Sequence, residues 1–227
     1  MSDTRAPTVA IVDYGMGNLF SVQQACEQVG MQATITPSAR EVLEADAVIL
    51  PGVGAFGEAM ATLRQLGLAN ALQEVAGAGK PVLGICLGMQ LLMTESHEFG
   101  RHKGLDLIQG DVVRFEAPST GSRILKVPQI GWNRMFQTGR DPWEGSCLHG
   151  LKDGEFMYFV HSYYAKPVDP QVVLAISRYG HIEFCSALRQ HNVTACQFHP
   201  ERSGPQGLMI YRNLARQIQQ PTEVHHV

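Results

Sequence analysis

Residues 81–92 read PVLGICLGMQLL, in which two apolar runs flank a cysteine and its neighbouring glycines. The first run predicts a buried strand and the second a helix. Gly84 and Gly88 stand two residues either side of Cys86, a spacing that lets a strand turn sharply into a helix with a strained residue projecting between them. The segment therefore predicts a nucleophile elbow, although a buried, inert cysteine at a strand end gives the same short pattern.

The predicted helix after Cys86 bears on the chemistry of its thiol. The N–H of Leu87 and the positive end of the helix should lie beside the sulfur, where they favour a thiolate and can stabilise an oxyanion. A nucleophile of this kind also needs a base.

A histidine and a carboxylate follow the last predicted strand, as His199-Pro200-Glu201. Pro200 stiffens the turn, so Glu201 can orient the ring of His199, which in turn can pair with a thiolate as imidazolium. Taken alone, these residues are more typical of a capped turn with a surface histidine. Together with the elbow, they predict Cys86, His199 and Glu201 as nucleophile, base and orienting carboxylate.

Apolar runs alternate with helical patterns in the first half of the chain, which predicts βα units around a parallel sheet. From residue 156 onward, strand patterns follow one another at intervals too short for helices, which predicts an antiparallel or mixed extension of the sheet. A final amphipathic pattern at 208–218 predicts a terminal helix. We expect residues 1–227 to form a single α/β domain.

Composition excludes several function classes. The 227 residues carry a formal net charge of −3, which offers no basic field for a nucleic-acid partner. The five cysteines include no Cys-x-x-Cys pair, so we expect no metal site and a protein of the reducing cytoplasm. We also expect no cofactor. His225 and His226, near the end of the chain, should belong to a tail and not to a metal site. No apolar run approaches the roughly 20 residues of a membrane span, so we expect a soluble protein.

Six separated motifs resemble those of the class I glutamine amidotransferases, the family with a Cys-His-Glu triad. They lie at residues 13–19, 50–56, 84–92, 131–133, 158–163 and 197–203 and span nearly the whole chain. Within this family the pattern is most similar to the glutaminase subunits of imidazole glycerol phosphate synthases. The resemblance implies a flavodoxin-like three-layer sandwich, with a mostly parallel central sheet and an antiparallel extension.

The resemblance also implies roles for the site residues. Cys86 would attack the side-chain amide of L-glutamine, His199 would pass a proton to the departing ammonia, and water would hydrolyse the γ-glutamyl thioester. The oxyanion would be held by the N–H of Leu87 and by one from the Gly52-Val53 peptide. Glutamine would be bound by side chains and backbone groups of Gly54, Gln90, Glu98, Ser162 and Tyr163.

A partner subunit follows from the same resemblance. It implies a (β/α)8-barrel cyclase in a 1:1 heterodimer, which uses the ammonia to make imidazole glycerol phosphate and aminoimidazole carboxamide ribotide in histidine biosynthesis. Residues 125–133 read as an irregular segment, and an aromatic anchor in such a segment is typical of an interface. The predicted docking residues are Met16, Asn18, Trp132 and Asn133.

Three alternatives stay open from the sequence. Gln129 stands where the resemblance leads us to expect a histidine, so the chain could instead supply ammonia to a sugar-amidating partner in surface polysaccharide synthesis. A cysteine peptidase or hydrolase could use the same triad on another acyl group. A binding module with a dead site is the third alternative, against which the intact triad argues.

Overall fold

The computed structural model describes residues 5–139 and 143–219, so the expectation for His225 and His226 lies outside the described residues. The strands are β1 Thr8–Val12, β2 Gln32–Thr36, β3 Ala47–Leu50, β4 Val82–Ile85, β5 Met93–Ser96, β6 His102–Lys103, β7 Ile108–Arg114, β8 Ser119–Thr120, β9 Arg123–Ile124, β10 Gln129–Gln137, β11 Phe156–His161, β12 Tyr163–Pro167, β13 Val173–Tyr179, β14 Ile182–Gln190 and β15 Val193–Cys196. The helices are α1 Leu19–Gln28, α2 Ala39–Glu44, α3 Phe56–Gln65, α4 Leu68–Gly77, α5 Leu87–Leu91 and α6 Gly204–Gln219.

A nine-stranded sheet forms the centre of the fold, in the order β11-β10-β13-β14-β15-β4-β3-β1-β2. The five strands from β15 to β2 are parallel, and β14, β13, β10 and β11 extend them in antiparallel pairing. All four residues of β3 and of β4 are buried, as expected for parallel strands covered on both faces. The predicted parallel centre with an antiparallel extension is confirmed.

Helices cover both faces of the sheet, which completes the predicted three-layer sandwich. On one face, α1 and α6 bury Val22, Cys26 and Tyr211 in a common apolar cluster. On the other face, α2 to α5 contribute to a second cluster, including Met60 and Leu72. None of the helices in the described part of the chain is long and apolar enough to cross a membrane.

Three segments are more regular or more buried than the sequence indicates. Residues 95–110, a polar stretch with several glycines, supply parts of β5, β6 and β7 in a four-stranded second sheet of order β12-β7-β5-β6. The predicted irregular segment ending at 133 includes the start of β10, because pairing with β11 overrides its glycine and proline signals. Trp143, in a polar stretch of sequence, is buried and donates from Nε1 to the Leu174 carbonyl at 2.7 Å.

Gly88 packs α5 directly onto the end of β3, which makes it a sharp test of the elbow. A Cβ at this position would lie 1.7 Å from the Leu50 carbonyl oxygen, a backbone atom that cannot move aside cheaply. We expect Gly88→Ala to lower the free energy of unfolding by about 3 kcal/mol or more, measured by urea denaturation. As a control, Gly77→Ala meets nothing within 4 Å and should be neutral or slightly stabilising. Equal effects of the two changes would contradict this packing.

Candidate active site

The carboxyl ends of three adjacent parallel strands, β3, β4 and β15, meet at one edge of the sheet. Cys196 at the end of β15 pairs with Ile85 at the end of β4, and the N–H of Cys86 donates to the Cys196 carbonyl at 2.8 Å. Because of this register, the residues that follow β15 lie beside the residue that follows β4. The fold thus brings His199 and Cys86 together although 113 positions separate them in the chain.

Cys86 has the strained backbone that the glycine spacing predicts. Its φ of 55° and ψ of −109° lie in a region that residues with a side chain rarely adopt, and α5 begins at the next residue, Leu87. The cysteine is 6% exposed, and its Sγ lies 3.8 Å from the Val160 carbonyl. The elbow is therefore present, with a nearly buried sulfur at its tip.

His199 lies between the thiol and the carboxylate. Its Nδ1 atom is 2.8 Å from Oε1 of Glu201, and both side chains are buried. Burial alone would lower the pKa of His199, but its interactions with Cys86 and Glu201 outweigh burial and raise that pKa to about 10. The Nε2 atom makes no hydrogen bond of standard geometry within the described residues, as is common for catalytic contacts before a substrate binds.

A cavity of about 270 Å³ opens on Cys86. It is lined by most of the predicted oxyanion and glutamine-binding residues, namely Val53, Gly54, Leu87, Gln90, Glu98, Ser162 and Tyr163, with Pro128, Val160 and His161. Gly52 lies directly behind this wall, because a Cβ there would contact the Tyr14 hydroxyl and the Leu87 side chain. The structure thus brings together residues from five separated parts of the sequence.

The oxyanion donors predicted from the sequence do not both face the cavity. The N–H of Leu87 donates to the Gly52 carbonyl at 3.4 Å, so the Gly52-Val53 peptide presents its C=O, not its N–H, to the elbow. Gly54 follows with a φ of +108°, a conformation that favours glycine. In this conformation the predicted oxyanion hole lacks its second donor, which rotation of one peptide would supply.

Several predicted glutamine-binding groups already have partners within the chain. Glu98 accepts a hydrogen bond from the N–H of Phe56 at 2.6 Å, at the start of α3. Gln90 donates from Nε2 to the Tyr163 carbonyl at 2.9 Å. The Ser162 carbonyl accepts from the N–H of Phe115 at 3.0 Å. These contacts hold the cavity walls in place, and the roles of these residues toward glutamine stay predictions.

Two polar residues at the site were missed from the sequence. Gln197 is fully buried, and its Nε2 lies 3.7 Å from Cys86 Sγ. His161 lines the cavity, and burial lowers its pKa to about 4, so it is neutral at physiological pH. The signal for Gln197 is its position two residues before His199, directly after β15.

The predicted docking residues do not share one face. Trp132 is 58% exposed and belongs to a row of exposed and half-buried side chains on β10 and β11. This row, the β10–β11 apolar face, is formed by Ile130, Trp132, Phe156, Tyr158 and Val160. Asn133 lies on the opposite side of the strand and donates to the Arg178 carbonyl at 2.9 Å. Met16 is half-buried near Gly54, and Asn18 is exposed immediately before α1.

One group of side chains in the described residues could converge on a cation. It comprises Glu95, His97 and Asp111, whose ligand atoms lie within 4.8 Å of one another. Glu95 is instead paired with Arg101, and that hydrogen bond lowers its pKa despite some desolvation. The group therefore reads as a surface ion-pair network.

Comparison with known proteins agrees with this geometry. The model of the glutamine amidotransferase class-I family matches residues 10–218. The imidazole glycerol phosphate synthase subunit HisH of Geobacter metallireducens is 49% identical over 209 residues, which cover 92% of this chain and 97% of that protein. The subunit of the same name from Geobacter sulfurreducens is 48% identical over 206 residues, covering 90% and 96%.

The fold is also shared with more distant proteins. A structure of PurLQS from Thermotoga maritima matches with a TM-score of 0.71 at 17% identity, covering 93% of this chain and 99% of that one. At that identity the similarity concerns the fold alone. The family match and the close relatives go further: the chain belongs to the class-I glutamine amidotransferases and, within them, to the group of imidazole glycerol phosphate synthase HisH subunits.

Proposed function

We propose that this chain is a glutaminase that hydrolyses L-glutamine to glutamate and ammonia and delivers the ammonia to a cyclase subunit. The observation that carries the proposal is the convergence of Cys86, His199 and Glu201 beside one cavity, in a chain of the HisH group. We further propose that residues 1–227 act as one catalytic domain in the cytoplasm, in a 1:1 heterodimer with a (β/α)8-barrel cyclase.

The proposed reaction uses the three side chains in sequence. The sulfur of Cys86 attacks the amide carbon of glutamine, and the amide oxygen becomes an oxyanion. His199, cationic beside the sulfur, gives its proton to the nitrogen, the C–N bond breaks, and ammonia leaves. A γ-glutamyl thioester remains on Cys86, and water then releases glutamate while His199 again relays the proton. Glu201 holds the ring throughout.

The incomplete oxyanion hole supports a dependence on the partner. While the Gly52 carbonyl accepts the hydrogen bond of the Leu87 N–H, the oxyanion of the tetrahedral intermediate would lack one donor. The Gly52 carbonyl oxygen would also repel it. We infer that the liganded cyclase favours the rotated Gly52-Val53 peptide. Since ammonia is protonated in neutral water, glutamine hydrolysis without a waiting acceptor would waste the nitrogen, and an incomplete hole prevents that.

Glutamate release tests the proposal, measured with and without the cyclase and its nucleotide substrate, the phosphorylated ribulosyl formimino carboxamide ribotide. We expect low activity for the free chain and an increase of about 10² to 10³-fold with both additions, the value of one oxyanion donor. Equal rates with and without them would refute the coupling. Absence of glutamate under all conditions would refute the glutaminase itself.

The downstream pathway is proposed from the relatives. The two described above both carry the name of the histidine-pathway enzyme, which favours the cyclase over a sugar-amidating partner. The reaction products would then be imidazole glycerol phosphate and aminoimidazole carboxamide ribotide. Production of both from glutamine by the reconstituted pair, and from neither subunit alone, is the expected result.

The β10–β11 apolar face is the proposed docking surface for the cyclase. Trp132 stands at its centre, edge-on to Tyr158 with ring centroids 6.0 Å apart, and Val160 connects the face to the cavity. We expect Trp132→Ala to weaken cyclase binding by about 2 kcal/mol in calorimetric titration. Val168, a 75% exposed residue outside this face, provides the control: Val168→Ala should leave affinity unchanged. Unchanged affinity of Trp132→Ala would contradict this placement.

A further inference from the structure

The side chain of Gln197 has no part in the proposed reaction, yet it contacts the nucleophile. Its Nε2 lies 3.7 Å from Cys86 Sγ in a fully buried position. We propose that Gln197 is a positioning residue, whose amide donates a hydrogen bond to the sulfur, holds it toward His199 and favours its ionised form. This inference deepens the proposed function and rests on Cys86 being the nucleophile.

The orientation of the Gln197 amide is fixed by its neighbours. The Tyr163 carbonyl can only accept hydrogen bonds, so Gln90 must present its NH₂ group to it, at 2.9 Å. The same NH₂ group of Gln90 lies 3.0 Å from one atom of the Gln197 amide. Because an NH₂ group donates, that atom must be the accepting oxygen, Oε1. The NH₂ group of Gln197 then faces the sulfur of Cys86.

The Tyr163 carbonyl, on which this hydrogen-bond network rests, accepts two hydrogen bonds. The Tyr163 carbonyl also lies 2.8 Å from Nδ1 of His161, so Nδ1 carries the proton of that neutral ring. Both lone pairs of the carbonyl are then occupied, and Gln90 cannot turn its amide without facing oxygen toward oxygen. Because Gln90 and Gln197 are both buried, water offers no replacement for these hydrogen bonds.

A donor at this position acts differently on the two forms of the sulfur. The neutral thiol can donate to the Val160 carbonyl, 3.8 Å away, and gains little from Gln197. The thiolate cannot donate, and the Gln197 NH₂ group then gives it a charge-assisted hydrogen bond on a side separate from His199. The contact therefore stabilises the reactive form more than the resting thiol.

Titratable groups near the sulfur include Tyr14, Cys196 and His199, and the cavity beside it is also lined by His161 and Glu98. Burial raises the pKa of Tyr14 and of Cys196, so both stay neutral over the working range. His199 keeps its positive charge up to a pH of about 10. A change in thiol reactivity at neutral pH after substitution of Gln197 therefore cannot come from a change of charge on Tyr14 or Cys196.

Alkylation of Cys86 by iodoacetamide tests the proposal on the free full-length chain, followed by mass spectrometry of the Cys86 peptide across a pH series. Gln197→Met keeps the side-chain length and removes the donor. We expect its alkylation at neutral pH to be about tenfold slower and its rate profile to move to higher pH. Asn213→Leu, which removes another buried amide with two carbonyl partners, should retain the wild-type profile.

The outcomes separate this inference from the proposed function. A Gln197→Met profile that superposes on the wild type would overturn the positioning role. If Gln197→Met does not fold, Gln90→Met keeps Gln197 and removes the group that orients it, and it carries the same expectation and the same refutation. Alkylation needs no glutamine. If the wild type released no glutamate, the proposed glutaminase activity would be refuted, but the alkylation rates would still show whether Gln197 affects Cys86.

Discussion

Replacing Cys86 with alanine is expected to lower glutamate release by the cyclase complex by about 10⁴-fold or more. The change removes the only atom that forms the thioester in the proposed reaction, and none of the surrounding groups, His199, Gln197 or Tyr14, can replace a sulfur poised at a sharp elbow. The same complex should still make its products from added ammonium salts, because the cyclase chemistry is untouched.

Cys26 supplies the matched control for this experiment. It is a buried cysteine on α1, packed in the apolar cluster under the sheet, and burial raises its pKa to about 12. Cys26→Ala removes the same atoms and should retain glutamate release in folded protein. Hydrolysis by Cys86→Ala at more than about a hundredth of the wild-type rate would contradict the nucleophilic role.

Replacing His199 with asparagine is expected to lower glutamate release by roughly 10³ to 10⁴-fold, with ammonium-dependent synthesis again retained. Asparagine approximates the size and polarity of the ring but cannot give a proton to the departing nitrogen. His191, in the turn between β14 and β15, provides the control, because it lies outside the cavity and is exposed. A His199→Asn enzyme within tenfold of wild type would show that another group carries the proton.

The stability difference between the wild type and His199→Asn should depend on pH. The pKa of His199 is raised from 6.5 to about 10 in the folded chain, because its interactions with Cys86 and Glu201 outweigh burial. A raised pKa contributes stability that is fully present below the unfolded value and is lost as the pH rises through the folded value. We therefore expect the stability advantage of wild type over His199→Asn to shrink as pH rises from neutral toward 10. A constant difference over that range would contradict the pairing.

The parts of the site that follow from local geometry could be predicted from the sequence. Two glycines around Cys86 favour a sharp turn, and the observed positive φ agrees. The proximity of His199 to Glu201 needs only the proline between them. The parallel centre of the sheet follows from apolar runs separated by helical patterns.

The parts that depend on distant pairing could not be predicted. Gln197 contacts Cys86 only because β15 lies beside β4 in one register. The Gly52 carbonyl faces Leu87 through a single hydrogen bond between a loop and the start of α5, which no local pattern encodes. Trp132 stands on a regular strand because β11 pairs with it, although glycine and proline nearby favour an irregular segment.

Covalent labelling by a glutamine analogue, diazo-oxo-norleucine, tests the central claim most directly. The cyclase complex is incubated with the analogue and nucleotide, and the modified peptide is identified by mass spectrometry. The expected result is one adduct per chain, on Cys86, which excess L-glutamine prevents and which Cys86→Ala lacks. An adduct on another residue, or no adduct in a complex that still releases glutamate, would contradict the account.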